Sequence, residues 1–190
     1  MSVGFGGILG LVILAALVAL PVLVISIYNQ LVRLRQNVRQ GVADIDAQLR
    51  QRHDLIPNLV EAVKGYAGHE SATLEAVVAA RNAAARSEPS SGTEQQLRVA
   101  LDNLLALGEA YPDLKASANF KALQSDLGDV EDKLAAARRA LNAAVARFNS
   151  ARESFPAVVF AGMLGFTEAD FHRLDDSEKG SVDQVPRVAF

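Results

Sequence analysis

Apolar positions in this chain recur at helical steps almost from end to end. Between Asp44 and Glu70 it reads DIDAQLRQRHDLIPNLVEAVKGYAGHE, with Ile45, Leu49, Ile56, Leu59, Val60 and Val63 at three-, four- and seven-residue spacings. That spacing places them on one stripe of an amphipathic helix. Upstream, Leu31, Leu34, Val38 and Val42 continue the same stripe without a turn signal, so one helix is predicted to run from the apolar N-terminus into this stretch. A rigid connection of that kind transmits orientation, which a Gly/Ser tether does not. Pro57 predicts a kink, or the start of a new helix with Asp54 nearby as a cap. The pattern then resumes through Leu74, Val77 and Val78 to Arg86.

SEPSSGT, Ser87 to Thr93, is the clearest loop, and Ser91 or Thr93 is expected to cap the helix that carries Leu97, Leu101, Leu104 and Leu105. Tyr111-Pro112 interrupts that helix. Beyond it, Phe120, Leu123, Leu127, Val130, Leu134, Ala137, Leu141, Val145 and Phe148 keep three- and four-residue steps over four heptads. They predict one helix from Asp113 to Asn149 whose seam serves as a bundle core, or as a contact between copies. After Phe155-Pro156 comes AVVFAGMLGF, Ala157 to Phe166, too short to span a bilayer and too apolar to leave in water. It is expected to pack on the bundle, lie in the lipid interface, or meet another subunit.

The N-terminus changes the picture from a soluble bundle to an anchored one. No charged residue occurs from Met1 to Val32, and Ile8 to Ile25 is apolar apart from Gly10 and Pro21. About 20 such residues span a hydrocarbon core of roughly 30 Å. A cleaved signal peptide has a charged leader and a shorter apolar run, and neither is present. Arg33, Arg35 and Arg39 follow the span and no Lys or Arg precedes it, so the positive-inside rule places the N-terminus outside and the C-terminal domain in the cytoplasm. These three arginines are also the candidate lipid-proximal residues. The expected organisation is an anchor over residues 1–30, a helical bundle over 31–166 and a largely disordered tail over 167–190.

Composition agrees with an all-α class: half of the 190 residues are apolar, but aromatics are only 6% and Trp and Cys are absent. A core of Ala, Leu and Val suits close-packed helices. Absence of cysteine excludes disulfides, thiolate zinc sites and cysteine nucleophiles. A net charge of -3 argues against nucleic-acid binding, which draws on a basic surface.

Candidate chemistry is sparse. His53 and Asp54 adjoin Arg50 and Arg52, while His69 and Glu70 lie further along, but sequence neighbours point to different sides of a helix and do not converge on a metal. HESAT lacks the second histidine of a zincin motif. Asp46 to Arg50 has the spacing of a helical ion pair, and Gly65 and Gly68 are expected to permit close helix approach. Arg50, Arg52, His53, Asp54, His69 and Glu70 are therefore expected to form an interaction surface, with no catalytic residue, cofactor, metal or small-molecule substrate.

YNQLVRLRQNV (Tyr28 to Val38), the Asp44 to Glu70 stretch, EAYPDLKASANFKALQ (Glu109 to Gln124) and AARRALNAAVARFNSARESFP (Ala136 to Pro156) together closely resemble the LemA family of bacterial membrane proteins. The resemblance implies an N-terminal membrane helix, an extracytoplasmic N-terminus and a cytoplasmic antiparallel bundle. The family includes magnetosome-associated members and carries no established enzymatic activity. Leu141 and Phe148 stand where tyrosines are common in the family. The expected function is a membrane-anchored, self-associating scaffold without catalysis of its own. The alternative is an accessory subunit that docks a membrane protease or stress-response partner through the Asp44 to Glu70 surface.

Overall fold

A computed structural model describes residues 5–87 and 92–171. Every element in it is helical: α1 (Phe5–Ala67), α2 (Ser71–Ala84), α3 (Gly92–Ala110), α4 (Pro112–Ala116), α5 (Ala118–Glu153) and α6 (Ala157–Ala161), with no strand among the described residues. α1 is uninterrupted, as the continuous stripe predicts, and its N-terminal part is the one segment among the described residues long and apolar enough to cross a membrane. Only 6% of its most apolar window is buried. A core helix of a soluble protein would bury most of that surface; this one leaves Ile8, Leu11, Leu14, Leu17 and Ile25 exposed.

Pro57 does not break α1. Its missing N–H leaves the carbonyl of His53, one turn earlier, without its helical donor. Arg81 of α2 supplies one instead, donating from Nε to that oxygen at 3.2 Å. Packing of Ile56, Leu59, Val60 and Val63 on both sides of the proline holds the helix through the defect. The real interruption falls at Gly68 to Glu70, where the pattern predicts continuation; the Glu70 N–H bonds the Ala67 carbonyl at 3.0 Å and closes a turn. Gly65 has open space around it, so it serves no close approach.

The long helix expected from Asp113 is likewise divided. Ser117 adopts a non-helical ψ of 124° at the end of α4, and its Oγ accepts from the Phe120 N–H at 3.5 Å, so α5 starts at Ala118. This is an N-cap, which periodicity does not reveal. α3 begins at Gly92; Glu88 to Ser91, including the proposed Ser91 cap, lie outside the described residues.

The chain forms two compact units. One comprises residues 42–139, with a core of Ile56, Leu59 and Val63 from α1, Leu74 and Val77 from α2, Leu97, Leu101 and Leu104 from α3, Leu114 from α4, and Phe120, Leu123 and Leu127 from α5. Gly108 is required there: a Cβ would stand 2.8 Å from the Phe120 ring. The other unit joins residues 1–41 to residues 140–190. Its core gathers Ile27 and Leu31 from α1, Phe148 from α5, Ala157 and Ala161 from α6, and Phe166. Of the tail expected to be disordered, Ala169 is fixed by Asn149, whose Nδ2 donates to its carbonyl at 2.8 Å while Oδ1 accepts from its N–H at 3.0 Å. Residues 172–190 lie outside the described residues.

Candidate functional site

The step from Leu49 to Ile56 in the α1 stripe is seven residues, and the positions that would fill it are Arg52 and His53. Both therefore point inward. Arg52 is 1% exposed and His53 is buried beside it, a placement that demands paired charges, because an isolated buried ion is very costly. The partner is Glu94, in the first turn of α3 and on the same stripe as Leu97, Leu101 and Leu104. One Glu94 oxygen meets the Arg52 guanidinium, and the other accepts from His53 Nε2 at 3.1 Å. An ionised carboxylate only accepts, so Nε2 carries the proton. Arg52 Nη1 also donates to Glu131 of α5 at 2.7 Å. The guanidinium thus ties α1 to α3 and α5, and Arg81 ties α2 to the same turn of α1.

Burial pushes the Glu94 carboxyl up. The hydrogen bond from His53 and the Arg52 and His53 charges outweigh that, so it sits below the ordinary 4.5. A general base works best with a pKa near the operating pH; Glu94 is shifted the other way and has both oxygens engaged. A cleft of about 230 Å³ opens beside the pair, lined by Asp46, Leu49, Arg50, Ala84, Ala85 and Ser87 as well as His53 and Glu94. Among the described residues no cluster of three or more His, Asp or Glu is placed to hold a metal.

The six residues expected on one interaction surface thus separate. Arg52 and His53 are withdrawn into the core by the stripe they interrupt, whereas Arg50, Asp54 and His69 are exposed. Glu70 is half-buried and accepts from the Tyr111 hydroxyl at 3.0 Å, a bond that raises the Tyr111 pKa. Glu94 and Glu131 escape sequence reasoning because their partner is far along the chain. The available signal was a charge standing inside an apolar stripe, once in α1 and once in α3.

In the other unit the three candidate lipid-proximal arginines also differ. Arg33 and Arg39 are exposed, but Arg35 lies over the Phe166 ring, 4.9 Å from its centre. Phe166 in turn meets Tyr28 edge-on at 5.6 Å and Phe148 at 6.4 Å.

Residues 41–190 match the LemA family. Protein LemA of Metamycoplasma hominis is 24% identical over 159 residues, 82% of this chain and 73% of that protein. Magnetosome protein MamQ of Magnetospirillum gryphiswaldense is 32% identical over 72 residues, 38% of this chain, and the aligned part spans only 26% of MamQ. These matches are compatible with a membrane location for a helical protein carrying an apolar N-terminal helix. Since the family match takes in Arg52, Glu94, Glu131 and Phe166 and runs over well more than half of the sequence, the chain belongs to the LemA family.

Proposed function

We propose that this protein is a membrane-anchored helical scaffold that self-associates and performs no catalysis of its own. The observation that carries this reading is α1, a single helix that begins in an exposed apolar segment and ends among packed leucines. A continuous helix hands orientation from the bilayer to whatever packs on its far part, which suits a display or organising role. In this reading the helices downstream of the span form an antiparallel cytoplasmic bundle, with Arg33, Arg35 and Arg39 on the inner side of a bacterial cytoplasmic membrane. The relative named as a magnetosome protein fits a role tied to a membrane. The Arg52, His53 and Glu94 knot supports the same reading, because both Glu94 oxygens are taken up by Arg52 and His53 and the pairing fixes helix register.

Much of the α5 seam is buried within the chain, so association uses other faces. The test is chemical cross-linking and native mass spectrometry of the full chain in lipid nanodiscs. A defined oligomer is expected; only monomers across a range of protein-to-lipid ratios would defeat the self-association. The docking alternative keeps the exposed remainder of the expected surface, Arg50, Asp54 and His69. It predicts a stoichiometric membrane partner in pull-downs that is lost on Asp54→Lys without loss of folding.

A further inference from the structure

The Ala157 to Phe166 segment is divided by its fold into two faces. Ala157 and Ala161, four residues apart on α6, are buried together with Phe166, while Val158 and Val159 point away into solvent. The residues on either side continue that exposed face: Phe155 is 85% and Met163 86% exposed. Four large apolar side chains on nine consecutive residues form an outward patch, and α6 is pinned so that it stays outward. The Phe166 N–H bonds the Ala161 carbonyl at 3.0 Å, and the Phe166 ring is clamped by Tyr28, Phe148 and Arg35.

What covers the patch follows from where α6 is pinned. Its buried face packs on Ile27 and Leu31, only two and six residues beyond Ile25, the end of the apolar run. At about 1.5 Å per residue, that is less than roughly 10 Å along the helix axis from the edge of the hydrocarbon. An interfacial apolar face sits about 5–10 Å into the boundary between headgroups and acyl chains. The buried face of α6 therefore lies at the level of the headgroups, within reach of that zone. The charges flanking α6 do not draw it there: Arg152 is paired with Glu153 at 2.8 Å and Glu168 at 3.5 Å, and Asp170 is exposed nearby in sequence, so the nearby cations are Arg33 and Arg39 of α1 rather than residues of the patch.

We infer that Phe155, Val158, Val159 and Met163 form a second membrane contact, a short apolar foot that enters the bilayer interface beside the span and does so without anionic lipid. The inference rests on the anchor reading above. The foot adds a second point of attachment to the single helix and so restricts rotation of α1 about its own axis.

The chain has no cysteine, so single-cysteine variants of the full-length protein can carry one environment-sensitive fluorophore each. The positions are Met163→Cys and Val159→Cys on the foot, Val18→Cys in the span and Asp129→Cys on an exposed turn of α5. Each is reconstituted in phosphatidylcholine vesicles containing lipids with a nitroxide placed either shallow or deep in the acyl chain. The foot positions are expected to emit to the blue and to be quenched at least about twofold more by the shallow nitroxide, with Val18→Cys quenched more by the deep one and Asp129→Cys by neither. Quenching at Val18→Cys with water-like emission at both foot positions would overturn the foot and leave the anchor standing. Blue emission without quenching, accompanied by disulfide linkage between unlabelled Met163→Cys copies under an added oxidant, would assign the patch to a second copy and overturn it too. No quenching at any position would remove the anchor reading and the foot with it.

Discussion

The two units of this chain are closed by opposite chemistries. In residues 42–139 the largest fully buried side chain is Arg52, held by Glu94, which His53 also engages, and by Glu131. In the unit built from residues 1–41 and 140–190, the corresponding place is taken by the Phe166 ring between Tyr28 and Phe148, with Arg35 stacked over it and Asn149 pairing the backbone at Ala169. A charged knot is directional: it accepts one register and charges heavily for any other. An aromatic knot is less exacting in angle and gains chiefly from buried area. The contrast teaches that the amphipathic helices of the first unit, which slide easily along leucine stripes, are indexed by charge. The unit next to the apolar segment is fastened by shape.

That contrast breaks most visibly at Arg52. Arg52→Leu leaves Glu94 buried with a lost counter-ion and is expected to cost about 3–5 kcal/mol, read as a lower denaturation midpoint of the full chain in detergent. Arg52→Leu with Glu94→Leu should recover most of the loss, since apolar replacement of a whole buried pair is often neutral. No recovery would show that the residues act separately. Phe166→Ala is expected to cost about 3–5 kcal/mol through the cavity it leaves. Hydrogen exchange then sharpens the comparison. Arg52→Leu should speed exchange mainly within residues 42–139 and Phe166→Ala mainly within the other unit; equal effects everywhere would mean that the two knots stabilise one cooperative block.

Smaller effects test the fit of single positions. Gly108→Ala drives a methyl into the Phe120 ring and is expected to destabilise by about 1–3 kcal/mol, whereas Gly128→Ala, in α5 with open space around it, is expected to stabilise by about 0.5–1 kcal/mol. The acid limb of stability tests Glu94 itself. Its folded pKa is depressed, so its contribution is complete above the ordinary 4.5 and is lost as pH falls through the lower folded value. The stability difference between the wild type and Glu94→Gln should therefore shrink below about pH 4.5 and be constant near neutrality. A difference that grew on acidification would reverse the assigned sign.

The sequence by itself determined the elements that depend on local pattern: an uncharged apolar run of spanning length, its unbroken continuation into an amphipathic stripe, the all-helical class, and the breaks at Tyr111-Pro112 and Phe155-Pro156. These are legible because hydrophobic period and proline act on the residues beside them. Only the tertiary structure decided what depends on a distant partner. Pro57 is carried through α1 because neighbouring leucines and the Arg81 donor compensate it. Arg52 and His53 go inward because Glu94 waits for them, 42 and 41 residues away, and Ala157 to Phe166 acquires two faces because Ile27, Leu31 and Phe148 claim only one. A charge in an apolar stripe reads as a surface residue until its counter-charge is located, and chain order does not encode that distance.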